Sequence, residues 1–209
     1  MLVVCTGTAT DIGKTWLGAQ VLSAVRAAGI SVAARKPAQS FDADDSSPTD
    51  AEILAAATGE PVHHVCSDRR SYPVAMAPPM AAEALGQPSP TVEELLAEMV
   101  WPSPTPQLRW VETVGGVRSP LASNGDTATL CARLRPSVVV LVADADLGAI
   151  NSVRLAASAL AGHHLIVYLN RFSHRNYLHQ ANRQWLTERD GYRTAIAPAE
   201  VVDLVLELI

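Results

Sequence analysis

The stretch Gly7-Thr8-Ala9-Thr10-Asp11-Ile12-Gly13-Lys14-Thr15 decides the fold. Before it, Val3 to Thr6 is a short apolar run that reads as a buried strand. After it the pattern turns helical, with Leu17, Val21 and Val25 at four-residue spacing and Gly29 as a C-terminal stop. Glycines between a strand and a helix let the backbone wrap a phosphate, and the free N–H groups of the helix start present positive charge to it. In such a loop Lys14 reaches the outer phosphates and the Thr15 hydroxyl ligates Mg²⁺. Five residues separate Gly7 from Gly13, one more than the usual phosphate loop has.

Strands and helices alternate outward from this loop. Ser31 to Arg35 is a second strand, and Phe41 to Pro48 is an acidic stretch expected to form a mobile loop. Thr49 with Glu52, and Thr91 with Glu94, are capping boxes that open helices. The proline-rich segment from Pro61 to Pro106 is expected to hold only the second of these helices. Leu108 to Glu112 reads as a strand followed by Gly115-Gly116, and Asp126 caps a further helix. Ser137 to Ala143 is nearly all valine and leucine, as in a strand buried on both faces of a parallel sheet. Helix and strand then alternate over Ile150 to Ala161, His164 to Leu169, Arg175 to Glu188, Tyr192 to Ile196 and Ala199 to Leu208. The pattern predicts an α/β fold: one domain over 1–209, with a doubly wound parallel sheet and helices on both faces.

Composition narrows the function classes. The chain has 209 residues, 48% hydrophobic and 18% charged, too apolar for disorder and without a run long enough to span a membrane. Its net charge of −5 argues against nucleic-acid binding through bulk charge. Cys5, Cys66 and Cys131 cannot pair evenly and lack zinc-site spacing. The amino terminus has no basic stretch and long apolar core, so a cytoplasmic protein is expected.

Two carboxylates could complete a metal site with Thr15. Glu112 stands at the carboxyl end of a parallel strand, where such sheets bind ligands. Asp50 lies in a first helical turn, where it could equally serve the helix dipole. Lys36 follows a strand, with Ser40 four residues on, and by spacing alone could be a solvated charge. The six histidines, including the adjacent pairs His63-His64 and His163-His164, read as surface or core residues.

Taken in order, the phosphate loop, Lys36-Pro37-Ala38-Gln39-Ser40, Val111-Glu112 with Gly115-Gly116 and Pro120-Leu121, and Asp146-Leu147-Gly148-Ala149-Ile150-Asn151 resemble dethiobiotin synthetases. The longer phosphate loop is itself a trait of that family. The resemblance implies a P-loop NTPase-type fold and an ATP-dependent cyclo-ligase of biotin biosynthesis, with Mg²⁺ on the phosphates. In that family 7,8-diaminopelargonate, CO₂ and ATP become dethiobiotin, ADP and phosphate. One amine captures CO₂ as a carbamate, the carbamate takes the γ-phosphoryl group, and the second amine closes the ring. The resemblance implies Lys14, Lys36 and Thr10 as catalytic residues, with Thr10, Lys36, Ser40 and Asn151 on the substrate. It implies Thr15, Asp50 and Glu112 on the metal. The nucleotide would meet Asp11, Ile12, Gly13, Lys14, Thr15, Trp16, Glu112, Thr113, Val114, Gly115, Asn170, Arg171 and Pro198. It further implies a homodimer whose partner completes the site near Gly148 to Asn151, with no nucleic-acid or membrane partner.

Two positions depart from the family pattern. Ala9 replaces an Asp or Gly, and Glu112-Thr113-Val114-Gly115-Gly116 replaces Glu-Gly-Ala-Gly-Gly, which predicts a narrowed pocket and slow turnover. A homologue diverged toward another amine or acid is the main alternative. Partitioning-type ATPase switches share the fold, but they carry an early second lysine where this chain has Thr8-Ala9. Their membrane-binding forms end in a basic helix, whereas Ala199 to Ile209 is acidic.

Overall fold

A computed structural model describes residues 1–208. In chain order the strands are β1 (Leu2–Gly7), β2 (Val32–Arg35), β3 (Gln39–Ser40), β4 (Ser71–Tyr72), β5 (Leu108–Gly116), β6 (Pro120–Ala122), β7 (Gly125–Asp126), β8 (Val138–Asp144), β9 (Leu165–Asn170) and β10 (Arg193–Ala195). The helices are α1 (Lys14–Ala27), α2 (Asp50–Thr58), α3 (Val62–Val65), α4 (Pro78–Ala84), α5 (Val92–Glu98), α6 (Thr127–Leu134), α7 (Ala149–Ala159), α8 (Tyr177–Gln184) and α9 (Pro198–Leu206). Beyond Gln184 the last turn of α8 widens into a π-helix over Trp185–Arg189.

Six strands form one parallel sheet in the order β10-β9-β8-β1-β5-β2. Apolar residues on both faces of each central strand explain it. Val3, Cys5, Val138, Val140 and Val142 meet Leu17, Val21 and Val25 of α1, Leu54 of α2 and Val201 of α9. Val4, Val139 and Leu141 meet the opposite layer, including Leu95 of α5, Leu130 of α6 and Val153 of α7. The chain leaves β1 toward the β2 edge and leaves β5 toward β8, so the strand order reverses between β1 and β5. Ligands bind at such a crevice, outside the carboxyl ends of the strands.

Two expectations need correction. The proline-rich middle holds three α-helices and the strand β4, which pairs in parallel with β3 from before the segment, not one helix. Pro78 begins α4 instead of breaking it, because a missing N–H costs nothing in a first helical turn. Strand β5 also runs four residues past Glu112, to Gly116. Gly115-Gly116 are therefore the last residues of the strand and do not follow it. The β1–β5 register slips between Cys5↔Glu112 and Gly7↔Gly116, and a Cβ on Gly116 would lie 3.1 Å from the Thr8 carbonyl oxygen.

Candidate nucleotide and carboxylate site

The phosphate loop forms as the sequence implies. Thr8 N–H donates to Val142 O at 2.9 Å, which ties the start of the loop to β8. Gly13 sits at the N-cap of α1 with φ +97°, and no side chain caps the free N–H groups there. The Lys14 ammonium turns back and donates to Ala9 O at 3.1 Å. Burial, with the charge of Lys36 adding to it, pushes Lys14 below the ordinary lysine value.

Beside the loop, four side chains from four elements converge. Lys36, just past β2, places Nζ 2.6 Å from Asp50 Oδ2 and 2.7 Å from Glu112 Oε1. It also donates to Thr113 O at 3.4 Å. Thr15 Oγ1 lies 2.6 Å from Asp50 Oδ1 and 2.7 Å from Glu112 Oε1. Side-chain exposure is 1% for Lys36 and 0% for Glu112, against 41% for Asp50. Lys36 is therefore not a solvated charge. Burial alone would lower its pKa, but Glu112 and Asp50 outweigh burial and hold the ammonium above the ordinary lysine range. Burial likewise disfavours charge on Asp50, and Lys36 reverses it, leaving that carboxyl below its usual value. Glu112 is different. Burial raises its pKa, nearby Asp50 adds to the rise, and Lys36 offsets only part.

The arrangement suits a divalent cation. A threonine hydroxyl has one proton, yet Thr15 makes short contacts to two carboxylates, so its lone pairs and theirs crowd one point. Glu112 Oε2 is buried with no partner. Hard oxygen donors of this kind match Mg²⁺, which takes one or two carboxylates and completes its shell with water and phosphate.

A cavity of about 770 Å³ opens over this cluster. Thr10, Asp11, Gly13, Lys14, Thr15, Trp16, Lys36, Ser40, Asp50, Val114 and Gly115 line it. The acidic segment contributes Phe41, Asp42, Asp45, Ser47 and Pro48. Ile12 is buried beneath the loop, and its carbonyl accepts from Asn170 Nδ2 at 2.8 Å. Arg171 donates to Asp11 O at 2.9 Å and pairs with Asp144 at 2.6 Å, so the end of β9 braces the loop from outside. Glu112 lies behind the cavity wall rather than on it. Thr113 does not narrow the pocket: it is fully buried, and its hydroxyl donates to Cys5 O at 3.4 Å. Val114 alone of the two stands in the wall. Asn151, exposed on α7, and Pro198, at the start of α9, are outside this cavity.

Sequence reasoning gave no role to Gln39 and Ser119, both on the cavity wall. Gln39 Oε1 accepts from Ala51 N at 2.9 Å and its amide donates to Ser71 Oγ at 2.8 Å, which fixes the start of α2 and hence Asp50. The quoted Lys36–Ser40 segment contained Gln39, but a glutamine's partners lie far away in sequence. Among the described residues no three His, Cys, Asp or Glu side chains group as a metal site, and no helix is long and apolar enough to cross a membrane.

A family model described as an AAA domain matches residues 2–192. The ATP-dependent dethiobiotin synthetase BioD of Phenylobacterium zucineum is 38% identical, over 74% of this chain and 68% of that protein. The protein of the same name from Mycobacterium bovis is 36% identical, over 77% of this chain and 69% of its own length. Among solved structures, a plasmid partition protein from Borrelia burgdorferi covers 100% of this chain and 98% of its own, with a TM-score of 0.61 and 11% identity. That likeness shows the fold alone.

Proposed function

Because the chain belongs to the dethiobiotin synthetase family, we propose that its site closes the ureido ring of dethiobiotin from 7,8-diaminopelargonate and CO₂ at the expense of ATP. It is an ATP-dependent ligase of biotin biosynthesis. The observation that carries the reading is Lys36, buried as an ammonium between Asp50 and Glu112 and directly beside the phosphate loop.

The chemistry asks for such a cation. A carbamate is an anion that must approach the anionic γ-phosphate, and fixed positive charge at that point stabilises the transition state more than the separated reactants. Lys14 and Lys36 both face the cavity and supply two such charges. The free N–H groups at the start of α1 hold the phosphates in place. Thr10 and Ser40, also on the wall, orient the diamine by hydrogen bonds, turning ring closure into a positioned reaction. Thr15, Asp50 and Glu112 would hold Mg²⁺, which neutralises phosphate charge when bound. Asn170 and Arg171 border the loop on the side where the base would lie.

The remaining residues fit an assembly of two chains in the cytoplasm. Asn151 does not line its own cavity, and a role on the diamine would come from the site being completed across a dimer interface. The test of the activity is incubation with diaminopelargonate, bicarbonate and Mg-ATP, with dethiobiotin read by mass spectrometry. ATP turnover without dethiobiotin would move the protein to another amine or acid substrate.

A further inference from the structure

Ser119 lies half-buried in the turn that joins β5 to β6, in the wall of the large cavity. Its backbone N–H donates to Gly116 O at 3.0 Å, and Gly116 N–H donates back to Ser119 Oγ at 2.9 Å. A serine hydroxyl has one proton to give and two lone pairs. Gly116 takes a lone pair, and among the described residues no protein group accepts the proton. The proton is left for whatever enters the cavity. The hydroxyl sits over Gly115, whose φ is +54°. A Cβ built on Gly115 would lie 2.5 Å from Ser119 Oγ and 3.6 Å from Thr10 Oγ1. Two hydroxyls, one from the phosphate loop and one from the β5–β6 turn, thus converge on the space that a side chain at position 115 would fill. Thr10 follows Ala9, whose carbonyl holds the Lys14 ammonium at 3.1 Å. Ser40 is the converse of Ser119. Its one proton goes to Met76 O at 2.5 Å, so toward the cavity it can only accept.

We propose that Ser119 is a substrate-binding residue whose hydroxyl donates to a carbamate oxygen, and that Ser40 accepts from a nitrogen-bound proton of the same molecule. The proposal rests on the ring-closure reading above. A carbamate has to stand next to the γ-phosphate, and the space over Gly115 is bordered by the phosphate loop through Thr10. An anionic oxygen placed there needs donors, and a neutral hydroxyl with a free proton is one. An amine or carbamate N–H needs an acceptor, which Ser40 supplies on the same cavity wall. Losing a hydrogen bond to a charged group weakens binding by roughly tenfold to a hundredfold.

Ser119→Ala removes the donor but also the acceptor that holds Gly116 N–H, so other variants must separate the two effects. Ser119→Asp keeps an acceptor for Gly116 N–H and presents the cavity with negative charge in place of a proton. Ser119→Thr keeps the hydroxyl. The full-length protein is mixed with diaminopelargonate, ¹³C-bicarbonate, Mg²⁺ and a non-hydrolysable ATP analogue, and bound carbamate is read by ¹³C NMR. Ser119→Ala should raise the bicarbonate concentration that half-fills the carbamate signal about tenfold or more. Ser119→Asp should be worse than Ser119→Ala, and Ser119→Thr should recover most of the loss. A role confined to the turn predicts the other order, with Ser119→Asp near wild type and Ser119→Ala impaired. That order, or wild-type carbamate binding in Ser119→Ala, overturns the proposal. Should Ser119→Asp not fold, selectivity in Ser119→Ala decides. Gly116 pairs with Gly7 at the start of the phosphate loop, so a disturbed turn would weaken ATP-analogue binding as much as carbamate binding and overturn the proposal, whereas loss of carbamate alone supports it. A wild type that forms no carbamate overturns the ring-closure reading itself, and this proposal with it.

Discussion

Replacing Lys36 with methionine keeps the length of the side chain and removes the ammonium that joins Asp50 to Glu112. Deleting one partner of a buried ion pair costs about 3–5 kcal/mol, because the other charge is left without compensation. Here only one partner is fully buried: Glu112 is 0% exposed, whereas Asp50 is 41% exposed and partly screened by solvent. The lower end, about 3 kcal/mol, is therefore expected. At roughly 2–4 °C per kcal/mol for a chain of this length, that lowers the melting temperature by about 6–12 °C at pH 7.5. The pH dependence has a definite sign. Lys36 is held above the ordinary lysine value, so its contribution is complete below that value and is lost only at more alkaline pH. It does not change between pH 5 and 7.5. Glu112 is already raised by burial and rises further without its ammonium. A raised carboxylate penalises the fold above its unfolded pKa, and the penalty fades as pH falls back toward that value. The gap between variant and wild type should thus narrow from pH 7.5 to pH 5, and Glu112→Gln placed on top of Lys36→Met should recover part of the loss. Thermal melts followed by circular dichroism decide this. A variant as stable as wild type at pH 7.5, or a deficit independent of both pH and Glu112, would refute the view of Lys36 as a buried compensating charge.

Further outcomes follow from the same geometry. Lys14→Ala and Lys36→Met should each lower kcat by about 10²–10³, as loss of one transition-state contact does, with weaker effects on substrate KM; steady-state kinetics in both substrates checks this. Glu112→Gln and Asp50→Asn should each raise the Mg²⁺ concentration needed for half-maximal activity, and unchanged midpoints in the metal titration would return both residues to structural roles. Asn151→Ala should remain dimeric by light scattering yet bind the diamine poorly, and a fully active monomer would contradict a shared site. Val114→Ala should speed dethiobiotin formation by widening the cavity wall, whereas Thr113→Gly should lower thermal stability instead, since its side chain is packed inside the sheet.

The parts of this protein legible in the sequence are those fixed by neighbours along the chain. The phosphate loop needs only a strand, a glycine at φ +97° and a helix start within fifteen residues. The capping boxes at Thr49–Glu52 and Thr91–Glu94 both form, because each closes within four residues. The buried β8 declares itself through unbroken valine and leucine. Lys36 had no such local mark. Its burial depends on Asp50 and Glu112, which reach it from α2 and β5, and spacing alone left it even with a surface charge.

The end of β5 shows why the remainder was hidden. Two glycines after a strand ordinarily signal a turn, and a turn would have put Thr113 and Val114 beside the reacting groups. Instead Gly116 pairs with Gly7, and the two strands run so close at the loop that a Cβ on Gly116 would crowd Thr8 O at 3.1 Å. The glycine there answers a tertiary approach. The same reasoning applies on the opposite face of the site, where Gly18 leaves room for Trp110 and Glu112 against α1. Glu112 is consequently a side chain deep in a strand, reaching Thr15 and Lys36 from behind the cavity wall. A carboxylate held so far from solvent cannot relax toward a misplaced cation as an exposed one does. Its orientation has to be set by the groups packed around it, and Lys36 and Thr15 both hold its Oε1. Precision at this site therefore comes from the packing of α1 on β5 as much as from the loop that carries the phosphates.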